Sequence, residues 1–132
     1  MYAMNNAFRT YKQQGVLTAN PLELVVMLYD GGIKQLKIAS IAIEEKEYEQ
    51  VNNALQKAQR IIMELMNSLD LRFPIAKELM MLYEFMIREI SSANAAKDTE
   101  RVGGVIQLLN ELKDAWLQLA KSGVGSVAQI GE

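Results

Sequence analysis

The chain has 132 residues, the length of one domain; half of them are hydrophobic and 23% charged, which excludes a disordered or linker-rich polypeptide and predicts one buried core. With 14 Lys and Arg against 16 Asp and Glu, the net charge of −2 provides no electrostatic footprint for nucleic acid or an anionic membrane surface. The chain has no His and no Cys, so the usual base near neutral pH, the thiolate nucleophile, the common zinc ligands and all disulfides are missing; most enzyme templates fail, no cofactor or metal is expected, and a reducing cytoplasm fits.

Residues 1–14 mix Asn, Arg, Lys and Gln into every few positions and lack the apolar core of a secretion signal, so no cleavage by that route is expected. Residues 2–13 instead suit a short helix with Phe8 and Tyr11 on one side. The first long helix is predicted from Asn20 as N-cap, with Pro21 at the first helical position and Glu23 three residues after the cap, and runs to about Glu45. Val25, Tyr29, Gly32, Leu36, Ala39 and Ile43 form its seam, with Gly32 allowing a close backbone approach. The second helix spans about Tyr48 to Leu71 and carries Val51, Leu55, Ala58, Ile62, Leu65 and Leu69 on one face. The third opens at Pro74, with Ile75, Leu79, Leu82, Met86, Ile90 and Ala93 in line. The fourth opens near Asp98, with Val102, Val105, Leu109, Leu112, Trp116 and Leu119 in line. Residues 122–132 read as a Gly- and Ser-containing tail.

Short links between long amphipathic helices favour antiparallel neighbours, so the expected fold is all-α: an up-down-up-down four-helix bundle over 20–121, preceded by a short N-terminal helical segment. The longest strongly apolar run, Leu24 to Tyr29, falls far short of the roughly 18 residues that cross a bilayer, so no stable membrane insertion is expected. A carboxylate di-iron site needs a Glu-x-x-His pair that a chain without His lacks. Glu44, Glu45, Glu47 and Glu49 cluster at a helix end, where solvation is the simpler account than a cation site. Gly31 and Gly32 follow no strand, and helix packing explains them better than a phosphate loop.

The informative feature is a surplus of apolar side chains. A four-helix bundle needs one stripe per helix, and two helices here carry a second. At about 100° per residue, Met81 and Phe85 fall opposite the Leu79, Leu82, Met86 line, among Lys77, Glu84 and Arg88. Met27, Ile38 and Ile41 likewise fall on the side of the first helix away from Leu36 and Ile43. Exposed apolar faces point to a partner. Three accounts stand: the N-terminal segment folds back through Phe8, Tyr11, Val16 and Leu17; a homodimer buries the faces; or a wrapping segment of another protein lays apolar side chains into shallow grooves, which flexible Met side chains suit.

The chain also resembles the flagellar export chaperone family FliS over about residues 2–119. The likeness lies in Asn6-Ala7, Tyr11, Val16 and Thr18-Ala19-Asn20-Pro21, followed by Leu24, Met27, Leu28, Tyr29, Asp30 and Gly31. It continues in Leu65, Ser68-Leu69-Asp70, Leu79, Leu82-Tyr83, Met86, Arg88, Ala93-Asn94, Asp98, Leu108-Leu109, Leu112 and Trp116. As an ordered set these residues are specific, although each piece alone recurs in unrelated bundles. The resemblance implies an antiparallel bundle without catalytic activity that binds the disordered C-terminal segment of flagellin, blocks premature polymerisation and presents its client to the membrane export gate. It further implies that residues 1–19 act as a removable lid on the binding surface. Two departures stand out: Asn20 replaces a frequent Ser and keeps N-cap chemistry, and Leu71-Arg72-Phe73-Pro74 makes a short apolar link where the family commonly has a longer Gly-containing loop.

The expected function is therefore a cytoplasmic secretion chaperone, with Phe8, Tyr11, Val16, Met27, Ile38, Met81 and Phe85 as partner-binding residues. The competing reading is a structural bundle that self-associates through its outer faces, which concentration-dependent mass without a flagellin effect distinguishes. A hydrolase built on Glu or Asp alone is a third, and activity screening is its test.

Overall fold

The structure, a computed structural model, describes residues 21–121, which form four helices: α1 (Pro21–Glu44), α2 (Tyr48–Asn67), α3 (Pro74–Ala96) and α4 (Thr99–Lys121). Among the described residues there is no strand. Local chemistry sets most boundaries. Pro21 opens α1 and Pro74 opens α3, where a missing backbone N–H costs nothing. At the end of α1, Lys46 takes a left-handed φ of 59° and the Glu47 amide donates to the Ala42 carbonyl at 2.9 Å, a Schellman closure. Lys97 repeats the device after α3 with φ 52°, and the Asp98 amide reaches the Ala93 carbonyl at 3.0 Å. Asp98 then caps α4, its Oδ1 accepting from the Glu100 amide at 2.9 Å.

The second helix ends earlier than its apolar spacing predicts, at Asn67 rather than Leu71. The Ser68 hydroxyl donates to the Leu65 carbonyl at 2.7 Å, and Asp70 Oδ1 accepts the Arg72 amide at 3.0 Å in a side-chain-closed turn. The link to α3 therefore takes in residues 68–73, longer than the sequence suggested.

Each helix packs on two neighbours: α1 on α2 and α4, α3 on α2 and α4, which puts α1 diagonal to α3. Gly32 of α1 lies against Ile61 of α2 and Leu109 of α4, and Asn94 late in α3 donates to Asn52 early in α2 at 3.0 Å. The antiparallel up-down-up-down bundle thus forms. Its core holds Tyr29, Leu36, Leu55, Ile62, Leu65, Tyr83, Met86, Ile90 and Leu109, all essentially inaccessible to solvent. Burying one such Leu contributes about 1.5–3 kcal/mol.

The seams match the sequence expectation on α1, where Ile43 is only half-buried, and on α2 as far as Leu65; Leu69, half-buried, lies in the link beyond the helix. On α4, Leu112 is half-buried, and the Leu119 side chain lies outside the described residues. The first half of α3 departs from expectation. Ile75 is 44% exposed and Leu82 half-buried, whereas Ala76 and Tyr83 are buried, Tyr83 in the core cluster. Leu79 and Met86 keep their predicted places, but Tyr83 takes the core position in place of Leu82, because its hydroxyl finds a partner inside in Tyr29. No helix among the described residues is long and apolar enough to cross a membrane.

Candidate functional site

Tyr29, Tyr83 and Trp116 form a polar layer inside the bundle and fix how α1, α3 and α4 sit. The Trp116 indole N–H donates to the Tyr29 hydroxyl at 2.8 Å, and the Tyr29 and Tyr83 hydroxyl oxygens lie 2.6 Å apart. Burial raises the Tyr29 hydroxyl above the usual tyrosine range, opposed by its bonds to Tyr83 and Trp116. Burial lifts Tyr83 well above that range, reinforced by the neighbouring Tyr29. No side-chain N or O atom among the described residues is buried without a partner. The described core thus leaves no buried polar side-chain atom free for chemistry, and the exposed faces are where a partner can be met.

Two grooves flank α4. Between α3 and α4, Phe85, Val105 and Leu108 make an apolar floor under a rim of acidic residues. There Arg101 bridges Glu89 at 2.9 Å and Asp98 at 3.4 Å, and Gln107 donates to Glu111 at 3.2 Å. Between α1 and α4, the floor is Ile33, Ile38 and Ile41, and Lys34 and Lys37 stand on the rim. Lys113 pairs with Asp30 at 2.6 Å across that groove. A third cleft, between α2 and α3, is lined by amides: Gln59 donates to Ser91 at 2.8 Å, Asn94 to Asn52, and Lys97 to Asn94 at 2.6 Å. The remaining shifted groups among the described residues form the Asp70–Arg72 pair after α2, an exposed guanidinium on a half-buried carboxylate: the hydrogen bond from Arg72 lowers the Asp70 carboxyl, and the same bond raises Arg72. Glu44, Glu45, Glu47 and Glu49 are all exposed at the α1–α2 turn.

The residues singled out from sequence separate into three groups. Met27, Met81 and Phe85 are exposed on the outer faces, at 61%, 68% and 40%. Ile38 is not fully outward: it is half-buried, packs against the core and lines the α1/α4 groove, while its neighbour Ile41 is exposed. Phe8, Tyr11 and Val16 lie outside the described residues. Because α1 and α3 are diagonal, Met27 and Met81 stand on different sides, and neither lines any of the three grooves described above. Leu108, which the sequence offered only within the family likeness and not as a binding residue, floors the groove beside Phe85 with its half-buried side chain, and sequence reasoning passed over Gly103 and Gly104 on the surface of α4 altogether. Two consecutive glycines in a helix of otherwise good formers were the available signal.

Comparison with known proteins bears on the family and the fold. The family model described as flagellar protein FliS matches residues 4–123. A Bacillus subtilis protein named flagellar secretion chaperone FliS is 36% identical over 120 residues, covering 91% of this chain and 90% of that one. A protein of the same name from Vibrio cholerae is 32% identical over 122 residues, covering 88% and 90%. A crystal structure described as a flagellar chaperone from bacteria superposes with a TM-score of 0.75 at 19% identity, over 89% of this chain and 97% of that one, and shows the shared fold.

Proposed function

The chain belongs to the FliS family of flagellar proteins, and we propose that it holds the C-terminal segment of flagellin in the cytoplasm, unpolymerised, until the export gate takes it. Its relatives are named secretion chaperones, a role without catalysis. The observation that carries the reading is the set of large apolar side chains exposed outside the core. Met27, Ile41, Met81 and Phe85 are exposed on a bundle whose described buried polar atoms are all satisfied.

Those side chains are spread over several faces, which suits a disordered client that wraps the bundle better than a folded one that docks on one patch. Phe8, Tyr11 and Val16 act in this reading as a lid that the client displaces. Seeded flagellin polymerisation followed by light scattering tests the proposal. An equimolar amount of the chain stops filament growth, and growth at an unchanged rate contradicts the reading.

A further inference from the structure

The two apolar-floored grooves beside α4 carry opposite charge. On the α1 side, Lys34, Lys37 and Lys113 face one carboxylate, Asp30. On the α3 side, Glu89, Asp98, Glu100 and Glu111 face one cation, Arg101. Arg101 already pairs with Glu89 and Asp98, and Lys113 with Asp30, so Glu100 and Glu111 remain on one rim and Lys34 and Lys37 on the other without an ion pair among the described residues.

The grooves overlap in height: α4 lines the α3 side from Glu100 to Glu111 and the α1 side with Asn110 and Lys113. Antiparallel packing sets Gly32 against Leu109 and Asp30 against Lys113, which brings Ile38 and Ile41 beside the early turns of α4. The Arg101–Glu89 bridge brings Phe85 to those same turns from the other side. At those turns Gly104 forms the edge of the α3-side groove and Gly103 is its neighbour; both are exposed, and a Cβ on either would meet nothing within 4 Å. Glycine inside a helix costs stability relative to alanine, and nothing in the described chain uses the space it leaves.

We propose that one stretch of the client polypeptide crosses α4 over Gly103 and Gly104 in a fixed direction, its basic residues over the α3/α4 groove and its acidic residues over the α1/α4 groove. Apolar side chains flanking the crossing fill the Phe85–Leu108 floor on one side and the Ile38–Ile41 floor on the other. Opposite rim charges make the reversed orientation repulsive at both ends, so direction is selected as well as binding. This rests on the chaperone reading above and adds the charge order and crossing point of the bound segment.

The test titrates the C-terminal segment of flagellin from the same organism into the full chain and into the G103Q/G104Q variant, with thermal melts of both. Gln fills the space left at the two glycines and favours helix, so the variant is expected to melt no lower than the parent yet bind about tenfold or more weakly. The K34E/K37E variant, which leaves both glycines in place, is expected to lose affinity too, and the loss shrinks at high salt. Equal affinity for parent and G103Q/G104Q overturns the crossing while leaving the chaperone reading in place. No binding by the parent chain removes both. A dimer of the free chain that the glycine substitutions abolish assigns the glycine pair to a second copy and likewise overturns the proposal.

Discussion

The hydroxyl oxygens of Tyr29 and Tyr83, 54 residues apart in the chain, lie 2.6 Å from each other across the diagonal of the bundle, and the indole of Trp116 donates to the same Tyr29 oxygen at 2.8 Å. One polar triad therefore links α1, α3 and α4 inside an otherwise apolar core. Such a layer is sensitive to the loss of a member, because a buried donor left without an acceptor bears its full desolvation cost.

Tyr29 is the shared partner, so Tyr29→Phe strips the Trp116 N–H of its acceptor and Tyr83 of its neighbour at once. It is expected to destabilise the fold by about 1–3 kcal/mol, whereas Tyr83→Phe, which leaves the Trp116–Tyr29 bond standing, costs about 1 kcal/mol. Urea unfolding of the two single variants and the double variant, followed by circular dichroism, measures the coupling. Equal costs for the two single substitutions contradict the shared-partner role.

The same triad predicts an alkaline limit. Both hydroxyls are raised above the ordinary tyrosine value of about 10, so folding favours their neutral forms. Their contribution is complete below that pH and is lost as pH rises toward the folded-state values, because the unfolded chain releases its protons first. Stability should therefore fall above about pH 10 more steeply in the parent than in the Y29F/Y83F variant. Melting temperatures across that range decide it, and parallel slopes contradict the assignment.

Much of this architecture was legible in the sequence, and the parts that were not share a cause. Pro21, Pro74 and Asp98 mark helix starts through backbone chemistry that is local, and the α2 stripe from Val51 to Leu65 repeats cleanly enough to fix its buried face. The phase of α3 was not so fixed: Leu82 and Tyr83 are adjacent, either one fits a helical stripe, and the choice was made by Tyr29 on another helix. Leu69 continues the apolar spacing of α2, yet the Ser68 and Asp70 side chains end the helix first. A helical wheel placed Ile38 on the outer side of α1, but only the position of α4 shows it half-covered at a groove edge. The charge difference between the two grooves is likewise a property of paired helices, which no single stretch of sequence displays.

The outer apolar residues of α3 give a prediction that separates surface from core. Met81 and Phe85 are exposed, one turn apart, so M81E/F85E removes apolar contact area without leaving a cavity. Helicity and melting temperature should stay close to those of the parent, while affinity for the flagellin segment drops about tenfold or more. Unfolding of the variant would return these residues to the core, and undiminished affinity would take this face out of the binding surface.

Calorimetric titration of the chain with the flagellin C-terminal segment from the same organism tests the central claim most directly. The account predicts saturable binding near one to one, with a negative heat-capacity change from burial of the outer apolar faces. A folded, monomeric chain that shows no saturable heat with that segment would contradict it.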